Sequence, residues 1–427
     1  MASNGNPASG DVMTSSIETT CCIVGAGPAG AMLALLLARK NVPVVLLESH
    51  GDFDRDFRGD SLHPAIMEVL DQIGLADELL SLPHSKIRSA SLPTTQSLSL
   101  SFEELQGKFR FMTLMPQQRF LEFLTDEARR YETFSVVMDA TVRELIVEGG
   151  KVRGVRYDGG DGTEEVIADL TVGADGRTST VRRQAGLRAV TYGSAIDVLW
   201  VRLSRKPTDP EGIISGAGRG LLMLAADRGD QWQVGVMIPK GGFREIRAAG
   251  VGSLRTALTE ILPGLADRAS ELDDWRQVAM LSVRADRLRK WYLPGLLMIG
   301  DAAHVMSPVA GNGINYAVAD AVAAVNILAT PLAEGSLTPE HLRAVQRRRD
   351  LPTRVIQFSV ARAQNRLLAA FSGRRTRPPI LVRLAFSVPW LRHQAIRWAA
   401  YGIRPERLVD PVIGEGNIET QAEGDQS

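Results

Sequence analysis

The segment TTCCIVGAGPAGAMLALLLARKNVPVVLLESH, residues 19–50, leaves the chain few ways to begin a fold. Residues 21–24 form a short β-rich run, and Gly25-x-Gly27-x-x-Gly30 follows at once. Residues 31–39 read as a helix with no breaker, and residues 42–47 as a second buried strand ending at Glu48. In such a strand–turn–helix–strand unit, Gly25 makes the turn, Gly27 lets a pyrophosphate approach the backbone and Gly30 lets helix and strand pack closely. The adjoining Ala29 belongs to the same loop. The helix N-terminus carries about half a positive charge toward phosphates. Glu48 stands where a carboxylate accepts hydrogen bonds from ribose hydroxyls. The pattern predicts dinucleotide binding without separating NAD from FAD.

A second glycine-rich stretch makes that separation. In LPGLLMIGDAAHVMSPVAGNGINYAVADAVAAVNIL, residues 295–299 read as a buried strand that Gly300 and Asp301 terminate. Residues 308–314 form a loop, and the pattern is helical from Asn315. An acid at a strand end can hold a sugar-like hydroxyl, and amides at a helix N-terminus can face a developing anion. A nicotinamide enzyme built on one mononucleotide fold has no use for this, whereas FAD has a ribityl chain and a ring to hold as well. A third segment, GADGRTSTVRRQAGL, lies between them, with Asp175-Gly176-x-x-Ser179-x-x-Arg182.

These three motifs, in this order, resemble the class A flavoprotein monooxygenases, the para-hydroxybenzoate hydroxylase-like family, from about Thr20 to about Gln364. The resemblance implies an α/β fold: a Rossmann-like FAD-binding domain, interrupted in sequence, with an inserted, mostly antiparallel β-sheet substrate domain and C-terminal helices. It implies that the first loop holds the AMP half of FAD. Asp301 would hold the ribityl chain, and residues 308–315, with Pro308, Gly311, Asn312, Gly313, Ile314 and Asn315, would hold the flavin ring. Arg58, in FRGDSLHPAIMEVLDQIGL, would contact the pyrophosphate, and Gln118, in PQQRFLEFLTDEA, would reach the cofactor, with Gln117 and Arg119 as neighbouring alternatives. Asp175 either meets FAD and NADPH, as the family's motif does, or only caps the turn that it begins. The activity implied is that of an FAD-dependent monooxygenase. Such an enzyme uses NAD(P)H and O2 to form a C4a-hydroperoxyflavin and hydroxylates an aromatic, phenolic or polyketide-like small molecule. The alternatives are an epoxidase or a polyprenyl reductase on the same fold, or a flavin-binding protein without turnover. No Trp-x-Trp-x-Ile-Pro motif of the flavin halogenases is present.

The expected organisation is a disordered lead (1–18) and an FAD-binding domain from 19–87, 113–188 and 281–335. A substrate domain follows from 88–112 and 189–280, then C-terminal helices (336–414) and a loose tail (415–427). Period-two alternation in IDVLWVRLSR, GLLMLAADRG, QWQVGVMIPK and VAMLSVRADRL predicts an antiparallel sheet. Trp200, Arg202, Met223 and Trp232 on it are candidates for a substrate pocket, set against the simpler reading that they are core. An arginine such as Arg202 among apolar neighbours needs a partner. The stretch GRRTRPPILVRLAFSVPWLRHQAIRWAAYGIRPERL is rich in arginine and nearly free of acids. It reads as helices packed on the flavin domain with arginines outward, the alternative being contact with an acidic membrane surface.

Bulk properties exclude other classes. The chain has 427 residues with 49 basic and 49 acidic side chains, so no global field favours nucleic acid. Its two cysteines, Cys21 and Cys22, are neighbours and form no disulfide framework, which suits a reducing cytoplasm. Apolar runs such as AMLALLLA are too short to span a bilayer. His63, His84 and His304 are scattered without metal-ligand spacing, so no metal is expected, and no Gly-x-Ser-x-Gly elbow is present.

Overall fold

The computed structural model describes residues 16–54, 61–92, 98–160, 162–229, 231–308, 311–371 and 388–410. Arg58 and the 415–427 tail lie outside these residues. The chain has the expected mixed α/β architecture. Its main sheet has a parallel core in the spatial order Leu296–Met298, Gly162–Gly173, Ser16–Val24, Val44–Leu47, Phe134–Val137. The strand Gly162–Gly173 serves two partners along one edge. Its first half pairs antiparallel with Lys151–Gly159, and its last three residues pair parallel with Leu296–Met298. Thr141–Glu148 completes an antiparallel meander, turned by Gly149 and Gly150 at positive φ, as two-residue hairpins favour. The first strand begins at Ser16 rather than after residue 18, because Ser16, Ile17 and Glu18 pair through their backbones with Glu165, Val166 and Ile167.

The helix Pro28–Ala38 lies between this sheet and the helices Gln117–Ala128 and Gly313–Ala333, and buries every residue from Ala29 to Ala38. That is why its sequence shows no polar face. Leu33, Leu35 and Leu37, each nearly inaccessible, contribute about 1.5–3 kcal/mol apiece by burial. Gly313–Ala333 corrects one expectation: at 21 residues it is long and apolar enough to cross a membrane, and most of it is buried in the protein. Asn315, Asp320 and Asn326 interrupt the apolar run in the sequence, yet the helix passes through them unbroken. The helix Pro339–Phe371 likewise continues through Pro352.

A five-stranded antiparallel sheet has the order Ile213–Gly218, Leu221–Asp227, Gln231–Pro239, Ile196–Ser204, Ala279–Leu281. The alternation identifies four of these strands. Ile213–Gly218 escapes it because Gly216 and Gly218 have poor β propensity. Gly216 is required there, since a Cβ would fall 2.2 Å from the Ile261 carbonyl oxygen. One sheet face packs Leu199, Val201, Met223, Trp232, Val234 and Val236 against the helix Val251–Ile261 and the 3-10 segment Pro263–Glu271. Asp286–Leu288, from the end of the fourth alternating run, leaves for a small sheet with Ala189–Thr191 and His304–Val305.

A Cβ on Gly30 would lie 2.0 Å from the Gly25 carbonyl oxygen. Gly30→Val should therefore force the helix off the sheet and lower stability by about 3 kcal/mol, read as a fall in the thermal midpoint.

Candidate active site

The C-terminal ends of the parallel strands open into one cleft of about 1630 Å³, its mouth included. Its walls come from all three motifs. Gly25 turns the chain at φ +100°, its amide donating to the Leu47 carbonyl at 2.7 Å, and a Cβ there would strike the Ala174 carbonyl oxygen. Gly27 caps the helix Pro28–Ala38, and no atom lies within 4 Å of where its Cβ would be. The helix N-terminus is thus open to a phosphate. Glu48 is buried beside it. One oxygen accepts from the Ala26 amide at 3.0 Å, and the other from the His50 amide at 3.1 Å and faces His50 Nδ1 at 2.7 Å. The carboxylate is oriented by its own chain.

The second loop meets the first directly. Gly300 sits at φ +59°, and a Cβ on it would lie 2.9 Å from the Cβ of Ala29. Asp301, Pro308, Gly311, Gly313 and Ile314 line the cleft opposite Gly25, Gly27 and Ala29. Gly311 has φ +61°, and its carbonyl accepts from Ser61 Oγ at 3.1 Å. Asn312 and Asn315 turn the other way. Asn315 accepts the His63 amide at 3.0 Å and donates to the Gly311 carbonyl, holding the loop from behind. Burial pushes the His63 imidazole down to about 4, so it is neutral at physiological pH.

The middle motif braces the second. Asp175 lies on the cleft wall, but Ser179 Oγ and the amides of Thr180 and Val181 donate to its carboxylate at 2.5–3.1 Å. This is the turn-capping arrangement. Burial raises its carboxyl above the usual range despite these bonds. Arg177 reaches Asp301 at 3.2 Å, and Arg182 donates to the Ala302 carbonyl at 3.2 Å.

Not every expected residue faces the cleft. Gln117 lines it, while Gln118 donates to Glu122 one turn along its own helix at 2.9 Å. A shift of one residue rotates a helical side chain by about 100°. Met223 and Trp232 are fully buried on the helix-covered sheet face, with Trp232 Nε1 donating to Asp209 at 2.9 Å. Both are core. Trp200 lies on the opposite face against Gly235, where a Cβ would come within 2.8 Å of its ring. Trp200 Nε1 and Gln233 Oε1, on that same face, are buried with no hydrogen-bond partner among the described residues. Arg202 is exposed. Among the described residues no group of three or more His, Cys, Asp or Glu is placed to hold a metal.

Gln117, one of the two alternatives to Gln118, is the one on the cleft, whereas Asp320 and Arg177 were missed as site residues. Asp320 is completely buried in the helix behind the second loop. It accepts from the Gly300 amide at 3.0 Å, faces His304 Nε2 at 2.6 Å and accepts from Arg349 Nε at 2.8 Å. Arg349 also donates to buried Glu406 at 3.3 Å. The signal was a lone acid in AVADAVAAV, because an acid on an apolar helix is almost never buried unpaired.

The glycine cradle, the oriented acid and a second glycine loop across the same cleft fit a cofactor that carries an adenine nucleotide at one end and a ring at the other. The FAD binding domain family matches residues 18–359. This chain belongs to that family, the class A FAD-dependent monooxygenases, and is an FAD-dependent oxidoreductase. It is 32% identical over 411 residues to 6-methylpretetramide 4-monooxygenase of Streptomyces rimosus, covering 94% of this chain and 97% of that protein. It is 26% identical over 301 residues to an uncharacterized aromatic compound monooxygenase, YhjG, of Bacillus subtilis, covering 70% of this chain and 59% of that longer protein. The anhydrotetracycline hydroxylase OxyS of Streptomyces rimosus shares the fold, with a TM-score of 0.71, 22% identity and coverage of 90% of this chain and 76% of that one.

Burial pushes the Asp320 carboxyl up, but His304 and Arg349 together outweigh it and hold it below the usual range. A group lowered on folding stabilises above its unfolded value, about 3.9, and loses that contribution as pH falls through the folded value. Asp320→Ala should cost about 3–5 kcal/mol at pH 7, since Arg349 would keep a buried charge with half its partners gone. Urea unfolding of both proteins across pH should show this gap narrowing below about pH 4.

Proposed function

We propose that this protein hydroxylates a polycyclic aromatic small molecule of polyketide type, with NAD(P)H as transient reductant and O2 as co-substrate. The likeness to 6-methylpretetramide 4-monooxygenase over nearly the whole of both chains carries this reading. FAD, when bound, supplies the redox chemistry that activates O2 for transfer of one oxygen atom. The chain's residues bind, orient and exclude water. The open helix N-terminus at Gly27 takes the pyrophosphate, and Glu48 takes the adenosine ribose. Asp301, fixed by Arg177, takes the hydroxyls of the ribityl chain. The amides of Gly313 and Ile314, at the start of the helix Gly313–Ala333, would offer donors to the negative charge that reduction places on the flavin ring. Asp175 acts through the turn it caps, and Asn315 through the loop it ties.

For the substrate, the sheet face that carries Trp200 supplies the recognition surface. A buried indole N–H and a buried amide oxygen without partners among the described residues suit a planar molecule edged with carbonyl and hydroxyl groups. Trp200 is a positioning residue on this reading.

Anaerobic reduction of the bound flavin by NADPH, with and without hydroxylated polycyclic aromatics, tests the activity. One such compound should speed reduction many-fold, whereas reduction unaffected by any of them, or absent with NADH as well, would sink the hydroxylase reading. Asp301→Ala should weaken FAD retention by about tenfold or more, on the loss of charge-assisted hydrogen bonds of about 1.5–3 kcal/mol, measured by flavin release on dilution. Trp200→Phe should raise KM for the aromatic by about two- to tenfold with flavin content unchanged.

A further inference from the structure

The arginine-rich C-terminal region is not consumed by the cleft. Between Asp350 and Glu406 the sequence has ten arginines, no lysine and no acid, in a chain whose totals balance at 49 and 49. The helix Pro389–Tyr401 docks by a narrow edge, fully burying only Ile396 and Ala400, which pack with Phe102 and Leu105. At about 100° per residue, Trp390, Leu391, Gln394, Arg397 and Trp398 share one arc of about 120°. All five are exposed, Trp390 at 66% and Trp398 at 38%. Exposed Ile403 and Arg404 extend the patch past the helix end, and Arg392 on its flank is tied to Glu104 at 3.1 Å. The expected outward arginines are present, and tryptophans stand outward with them.

The helix Pro339–Phe371 repeats the composition. Leu351, Arg354, Phe358 and Arg362, spaced by three and four residues, are exposed, with the Arg362 guanidinium 4.8 Å from the Phe358 ring centre. Eight of the twelve exposed large hydrophobics among the described residues lie at position 351 or beyond.

We propose that this region seats the enzyme on an anionic lipid surface, with the helix Pro389–Tyr401 lying in the plane of the headgroups. Tryptophan settles at the depth where an apolar ring and a polar N–H are both satisfied, and arginine pairs with lipid phosphates. An acidic protein would meet the charge equally well, but protein interfaces gather their aromatic anchors into a central pocket. Here Trp390 and Trp398 are spread along about 12 Å of a convex helix with Arg397 between them, which suits a fluid partner. The surface is separate from the cleft, so the proposal stands or falls apart from the substrate.

Flotation of the full-length, FAD-loaded protein with vesicles tests it. One set is phosphatidylcholine alone, the other phosphatidylcholine mixed with phosphatidylglycerol. The protein should float with the mixed vesicles and not with the neutral ones. Raising salt from about 0.1 M to about 1 M, which cuts the screening length from about 10 Å to about 3 Å, should release it. Arg397→Gln should weaken binding about fivefold, and the double variant Trp390→Ser/Trp398→Ser about tenfold or more. Unchanged flavin content and thermal midpoint would show both variants folded. Failure to float with mixed vesicles would overturn the proposal and leave an acidic protein as the partner. Equal flotation with neutral vesicles would remove the charge argument, and unchanged binding of both variants would remove the assigned face.

Discussion

One buried carboxylate holds the catalytic half of this molecule together. Asp320 accepts three donors from three different elements: the amide of Gly300 at the end of a sheet strand, the His304 ring and the Arg349 guanidinium. Arg349 passes the connection on to Glu406, where Arg348 also binds at 2.8 Å. A charge removed from water this completely is tolerated only when paired and hydrogen-bonded on every side. The same condition therefore fixes the Gly300–Asp301 turn, the helix behind it, the following helix and the C-terminal segment relative to one another.

That fixed turn is what makes a single cleft out of remote pieces of chain. Gly300 packs on Ala29, so the second glycine loop is set against the first helix at van der Waals contact. Arg177 and Arg182 then tie the middle motif to Asp301 and Ala302. A cofactor with a dinucleotide at one end and a reactive ring at the other needs both loops held at one distance. A rigid, dry frame supplies this where solvent-exposed loops would not. Asp320, Arg349 and Glu406 are buried in this frame, while Gly27 and Gly313 are left open toward a ligand.

The parallel core, the antiparallel sheet and the three cofactor motifs were legible because each depends on local pattern. Periods of two and 3.6 residues mark strands and helices, and glycine spacing marks where backbone must come close. Side-chain direction was less legible. Gln117 and Gln118 are equivalent in sequence, yet a rotation of about 100° sends one into the cleft and the other along the helix. Trp200 and Trp232 both sit in alternating runs, and only the helix Val251–Ile261 decides which face is core. Ile213–Gly218 was hidden because Gly216 answers to the Ile261 carbonyl and Gly218 to the Ile261 side chain, contacts made across the fold.

By itself, then, the sequence determined the glycine-turn unit and the acid at its second strand end, since a strand, a glycine turn and a helix N-terminus are specified within a few residues of one another. It also determined the segregation of arginine from acid near the C-terminus. Only the tertiary structure decided that the two glycine loops share one cleft, that Asp175 and Asn315 support that cleft from their own chain, and that Asp320 is the pin. It alone decided that the C-terminal tryptophans face outward. Those outcomes depend on which elements pack on which, and packing is set by shape and burial over hundreds of residues rather than by any local pattern.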